Sequence, residues 1–182
     1  RFDYLAPSKL VDAPDGLTPL VEPFRPAHGD GAFDAVRRLT EWVNEEFSYE
    51  RGVTHVGTTA SEAMACRAGV CQDFTHVLLG LCRAINVPAR YVSGYIVMVD
   101  EAERERRGGS VELRGAGESH AWVEWWDGSW RGWDPTNDTA PEDRHIIVAT
   151  GRNYADVRPL SGIFTGAGTS TMAVDVQLTR LG

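Results

Sequence analysis

The 182-residue chain has no apolar run near the roughly 20 residues that a bilayer-spanning helix needs, so no membrane span is predicted. It also lacks positive charge. Eighteen Lys and Arg stand against 26 Asp and Glu, a formal net charge of −8, which argues against nonspecific binding to nucleic acid or to an anionic membrane. No charged-then-apolar leader opens it, so no signal peptide is expected. The first residue is Arg1 rather than Met, which fits a processed or excised piece whose leader or upstream domain has been lost. Cysteine is scarce: Cys66, Cys71 and Cys82 make an odd count. On one helix Cys71 and Cys82 would stand about 16 Å apart, too far for a disulfide. Free thiols, a reducing compartment and hence a cytoplasmic location are the simpler expectation. Repeats and low-complexity tracts are missing too. What remains is ordinary globular composition, at a length suited to one domain with a sizeable core.

Residues 1–29 carry Pro7, Pro14, Pro19, Pro23 and Pro26, and are expected to form an extended arm or the remnant of an upstream region rather than a helix. Residues 30–182 form the expected catalytic domain. Asp30 is placed to cap a helix over 32–47, with Phe33, Val36, Leu39, Trp42, Val43 and Phe47 as its apolar stripe and Arg51-Gly52 as its stop. Thr59 followed by Glu62 fits a capping box that opens a short helix through Arg67. A helix from Cys71 to Ile85 presents Cys71, Phe74, Thr75, Leu78, Cys82 and Ile85 on one face and stops before Pro88. Strands follow over 89–99, 119–126, 129–135, 145–150 and 171–179, with an exposed, charged loop over 100–117. Asp127-Gly128 marks a hairpin turn. Helices first and strands later predict an α+β fold with a mostly antiparallel sheet.

Cys71 draws attention by its place. At the head of a helix, unpaired N–H groups and the dipole favour an anion, so a thiol there is more easily a thiolate. A nucleophilic cysteine needs a base, and the base needs orienting. His76 sits five residues on, about 140° round the helix, and points away. His28 lies in the proline arm and His145 begins a strand, while His55, in a loop, stays open on geometry. His120 has a companion: a turn at Asp127-Gly128 pairs positions summing to 254 or 255, which sets His120 opposite Asp134 or Pro135. In the first register a carboxylate reaches one imidazole nitrogen and leaves the other facing outward. Each residue alone has a plainer explanation, as a core thiol or an edge-of-sheet polar pair. No metal site is expected, because His76 and Cys82 cannot approach an ion together with Cys71, and no zinc or calcium-loop spacing is present. Alternation puts Trp122, Trp126 and Trp130 on the His120 face and Trp125 and Trp133 on the other, where core packing is expected.

Gly69-Val70-Cys71-Gln72-Asp73-Phe74, then Val87-Pro88-Ala89-Arg90-Tyr91-Val92-Ser93-Gly94-Tyr95, Ser119-His120-Ala121-Trp122-Val123-Glu124 and Trp133-Asp134-Pro135-Thr136-Asn137 together resemble the bacterial transglutaminase-like superfamily. Gly151-Arg152-Asn153-Tyr154-Ala155-Asp156-Val157 looks like a further family segment. The resemblance covers about Gly31 onwards. It implies a papain-like cysteine proteinase fold, with Cys71 as nucleophile, His120 as general base and acid, and Asp134 as the orienting carboxylate. The expected chemistry is thiol-dependent acyl transfer on an amide of a peptide or protein substrate, either a peptide bond or a glutamine side chain. Water as acceptor makes a protease or amidase, an amine a transglutaminase. No cofactor is implied. The Cys71 N–H is one expected oxyanion donor; Gln72, Tyr95 and Trp122 are candidates for substrate contact and for the second donor, and Trp122 for a wall of the cleft. The competing expectation is a non-catalytic binding or scaffolding domain that keeps the fold.

Overall fold

The computed structural model describes residues 2–12, 17–26, 31–97 and 117–159. The chain runs through α1 (Leu17–Val21), α2 (Phe33–Glu46), β1 (Ser48–Tyr49), α3 (Ala60–Cys66), β2 (Ala68–Gly69) and α4 (Cys71–Ala84). It continues through β3 (Ala89–Ile96), β4 (Ser119–Trp126), β5 (Trp130–Trp133) and β6 (His145–Gly151). The last four strands form one antiparallel sheet in the order β5-β4-β3-β6. Helices packed on an antiparallel sheet are the α+β, papain-like arrangement expected.

The centre of the molecule is α4. It packs against β3 and β4 on one side and against α1, α2 and α3 on the others, so every residue from Asp73 to Arg83 is buried. The expectation of a single buried face is therefore too small. A helix enclosed by both layers has no solvent side, and its polar residues must find partners inside. His76 accepts the Tyr154 N–H at 3.2 Å, and Arg83 donates to the carbonyls of Tyr4, Ala89 and Arg152.

The proline-rich start is not a bare arm. Pro19 falls in the first turn of α1, where its missing N–H costs no intrahelical bond. Val11, Leu17 and Val21 are buried in the same core as α4. The stretches 2–12 and 17–26 thus each place a side chain in the core around α4. Val36, Leu39 and Val43 of α2 are buried as the stripe predicts, while Phe33 stays exposed. Asp30 lies outside the described residues; the N-cap is Ala32, whose N–H is held by Asp127 Oδ1 at 3.3 Å. The helix ends at Glu46, and β1 intervenes before Arg51-Gly52. The capping box of α3 is present: Glu62 N–H donates to Thr59 Oγ1, and Thr59 N–H to Glu62 Oε2. The expected strand over 171–179 and nearly all of the expected loop over 100–117 lie outside the described residues.

Two glycines allow backbones to close on side chains that matter to the site. Short parallel β1 and β2 bring Gly69 against Asp73, where a Cβ would lie 2.4 Å from Asp73 Oδ2. That oxygen accepts the Val70 N–H at 2.8 Å and the Thr54 hydroxyl at 2.7 Å, which fixes the entry into α4. On β3 the register with β6 shifts between Ser93 and Gly94, the bulge that a glycine inside a strand suggests. A Cβ on Gly94 would meet the Ile146 carbonyl at 2.1 Å and the Trp122 ring at 2.6 Å. Gly94→Ala is expected to destabilise the fold by about 1–3 kcal/mol, the usual cost of overpacking. A lower urea midpoint than wild type checks this; an unchanged midpoint contradicts the close packing over Gly94.

Candidate active site

β2 ends one residue before the Val70 N-cap, and α4 opens on Cys71. As the first helical residue, Cys71 has no carbonyl four residues back in the helix for its N–H. Its side chain is half-buried and carries a free thiol, with Sγ 4.0 Å from the Ser119 carbonyl oxygen. Ser119 begins β4, and His120 is the next residue of the strand.

The hairpin that carries His120 towards Asp134 differs from the expected register. Trp126 pairs with Trp130 across a three-residue loop, and Val123 with Trp133, so partners sum to 256 rather than 254 or 255. The shift from 254 is two, which preserves parity. Asp134 therefore stays on the His120 side but is diagonal to it instead of opposite. His120 Nε2 lies 2.8 Å from Asp134 Oδ2, with both side chains fully buried.

Asp134 is held by Thr136 and Asn137, just beyond it in the chain. Its Oδ1 accepts the Thr136 N–H at 2.9 Å, the i+2 contact of an Asx-turn, and its Oδ2 accepts the Asn137 amide at 2.7 Å. From α2, Asn44 Nδ2 donates to the carbonyls of Pro135 and Thr136, each at 3.0 Å, tying this turn to the helical layer. An Asp with a polar residue two positions on is a readable turn signal. Asn44 gives none, since its contact spans 91 residues.

The electrostatics arise from burial and partners. Burial is the largest influence on His120 and opposes charge, but the hydrogen bond to Asp134 and the interaction with Cys71 act the other way. Together they lift its pKa to about 10. Burial likewise disfavours the Asp134 carboxylate, yet its hydrogen bonds, His120 first, hold it well below the ordinary 3.8. The remaining imidazole nitrogen, Nδ1, is buried and has no hydrogen-bond partner. Cys71 is among the groups that raise the His120 pKa. Of the other thiols, Cys66 is exposed, and burial pushes Cys82 up to about 12.

Cys71 and His120 line one cleft of about 320 Å³, together with Gln72, Tyr49, Tyr91, Ser93 and Tyr154. Gln72 lines it with its side-chain amide donating to the Val56 carbonyl at 3.3 Å. Tyr95 pairs with Ser119 across the β3–β4 ladder but is not among the lining residues. Trp122 does not line the cleft either: it is fully buried and stacks on His120, ring centroids 6.3 Å apart. It faces a second cavity of about 400 Å³, shared with His145, Trp125 and Trp133, that Cys71 and His120 do not line. Trp125 is core, and Trp133 packs against it. Tyr91 and Ser93 went unmarked in the sequence, although period-2 alternation along β3 puts them on one face.

The thiol at the head of the buried helix, with the imidazole and carboxylate on the antiparallel sheet, is set in a papain-like fold. The chain belongs to the transglutaminase-like superfamily, whose family model matches residues 20–135. An uncharacterized protein of Mycobacterium leprae is 39% identical over 81% of this chain and 50% of its own length. A Pseudomonas aeruginosa protein named protein-glutamine gamma-glutamyltransferase is 28% identical over 68% of this chain and 18% of its own. A crystal structure from Cytophaga hutchinsonii, designated a candidate cysteine protease, superposes with a TM-score of 0.68. It shares 30% identity over 86% of this chain and 48% of that one. The chain spans about half the length of the first curated relatives it matches. No helix among the described residues is long and apolar enough to cross a membrane.

Proposed function

We propose that this chain is a thiol-dependent acyltransferase acting on amides of peptides or proteins, through Cys71, His120 and Asp134. What supports the reading above all is the buried His120–Asp134 pair, with the second imidazole nitrogen unpartnered beside the cleft that Cys71 lines. An imidazolium beside the sulfur favours the thiolate. The Cys71 sulfur attacks the amide carbon and the carbonyl electrons move to oxygen, where the Cys71 N–H stabilises the charge. Collapse breaks the C–N bond, and the His120 proton passes to the leaving nitrogen. The product is a thioester on Cys71 and a free amine. Water or a primary amine then attacks the thioester, giving its proton to His120 and releasing the Cys71 thiolate. Asp134 holds the imidazole in the required orientation throughout. The residues serve hydrolysis and transfer alike. The candidate protease and the glutamyltransferase among the similar proteins support one outcome each. The three free thiols fit the reducing, cytoplasmic setting proposed with this chemistry.

The experiment is incubation with casein and a dansylated primary amine, comparing wild type with Cys71→Ala. Fluorescence incorporated into casein reports transfer, and casein fragments report hydrolysis. The reading expects one of the two in wild type and its complete loss in Cys71→Ala. Conversion that survives the substitution contradicts it.

A further inference from the structure

Asp134 has a neighbour that the proposed chemistry does not use. His145, the first residue of β6, reaches it from the far edge of the sheet, separated from β4 by β3. Its Nε2 lies 3.5 Å from Asp134 Oδ2, and both side chains are fully buried. At that distance the contact is electrostatic rather than a closed hydrogen bond. Nε2 has no other hydrogen-bond partner. The position of the ring proton is set by the other nitrogen: the Glu142 backbone N–H donates to Nδ1 at 3.0 Å. Nδ1 therefore offers its lone pair, and the proton of the neutral ring sits on Nε2, the nitrogen nearest the carboxylate. Trp122 fixes the ring plane. It packs edge to face on His145 at 5.3 Å and 83°, and stacks on His120 at 28°. The Gly94 bulge makes room for that tryptophan. Two histidines from two strands thus converge on one carboxylate oxygen.

We infer that His145 is a positioning residue of this site: its Nε2–H anchors Asp134 Oδ2 and keeps the carboxylate turned towards His120. The inference rests on reading Cys71, His120 and Asp134 as one site. His145 acts only through Asp134, because it does not line the Cys71 cleft. Among the described residues, the ionisable side chains facing Asp134 are His120 from β4 and His145 from β6; Thr136 and Asn137 contribute neutral donors. Glu142 and Arg144, close to His145 in sequence, pair with each other at 3.9 Å.

The test uses the whole chain with 13C-labelled aspartate carboxyls, the Asp134 signal being assigned by its loss in Asp134→Asn. Wild type, His145→Gln and His145→Asn are titrated between about pH 3 and 8 by NMR. Glutamine carries an N–H as far out as Nε2; asparagine is too short to do so. In wild type and His145→Gln the carboxyl is expected to stay ionised to the acid limit of the fold. In His145→Asn its midpoint rises into the titrated range, a hold on the charge weakened about tenfold or more. Cys71 alkylation at pH 6.5 falls about tenfold in His145→Asn and less than about threefold in His145→Gln. Equal behaviour of the two variants overturns the inference. So does a wild-type 15N spectrum with the His145 proton on Nδ1, a reading that depends on no variant folding. If Cys71 alkylates no faster in wild type than in His120→Ala, the proposed chemistry fails, while the Asp134 titration still decides the role of His145.

Discussion

Replacing His120 by alanine is expected to slow alkylation of Cys71 at pH 6.5 by about 30- to 100-fold. The figure comes from thiol chemistry. An unassisted thiol with a pKa near 8.5 is only about 1% thiolate at that pH, and the greater nucleophilicity of a more basic sulfur recovers part of the loss. His120 stays charged far above pH 6.5, because Asp134 and Cys71 outweigh its burial. Removing it takes away a positive group that interacts with the sulfur. Iodoacetamide labelling, quantified per cysteine by mass spectrometry, reads this directly. Exposed Cys66 serves as the internal reference and buried Cys82 as the inert control. Equal rates in the two proteins contradict the proposed pairing.

Asp134→Ala is expected to have the largest effect on stability, about 3–5 kcal/mol, because it leaves a buried charge without its partner. It also removes the acceptor to which the Thr136 N–H and the Asn137 amide donate. Asp134→Asn, nearly the same shape, should cost less stability while still lowering Cys71 reactivity. The pH dependence has a definite sign. The folded pKa of Asp134 lies below 3.8, so its contribution is present above that value and is lost as pH falls through the folded one. The folded pKa of His120 is raised from 6.5 to about 10, so its contribution is full below 6.5 and is lost as pH rises through about 10. The stability gap between wild type and Asp134→Ala is therefore widest from about pH 4 to 6.5 and narrows towards pH 10. Urea denaturation at pH 5.5 and pH 10 measures it, and a gap that widens with pH refutes the assignment.

Features encoded by neighbouring residues were legible in the sequence. The Thr59–Glu62 box, the start of α4 at Cys71 and the hairpin between Trp126 and Trp130 all depend on contacts a few residues apart. The pairing of His120 with Asp134 survived an error in register, because side-chain parity changes only with an odd shift and the shift from the 254 register was even. Long-range packing was less legible. The α4 pattern suggested one apolar face, and enclosure by two layers buried the rest. The prolines of the first 29 residues suggested a bare arm, although the positions of Leu17 and Val21 on α1 let them join the core. Trp122 lies on the predicted face, but its stacking on His120 depends on a gap that Gly94 leaves in the neighbouring strand. His145 read as an ordinary strand start, because nothing local connects it to Asp134, eleven residues earlier and across a turn.

The central claim is that His120 stands charged between Asp134 and Cys71 as one electrostatic unit. 15N NMR of the His120 ring measures this directly. In wild type both ring nitrogens should remain protonated until about pH 10, and Cys71→Ser should lower that midpoint, since Cys71 is one of the groups that raise it. A His120 that loses a proton near 6.5 in wild type, or at the same pH with and without the Cys71 thiol, would contradict the account.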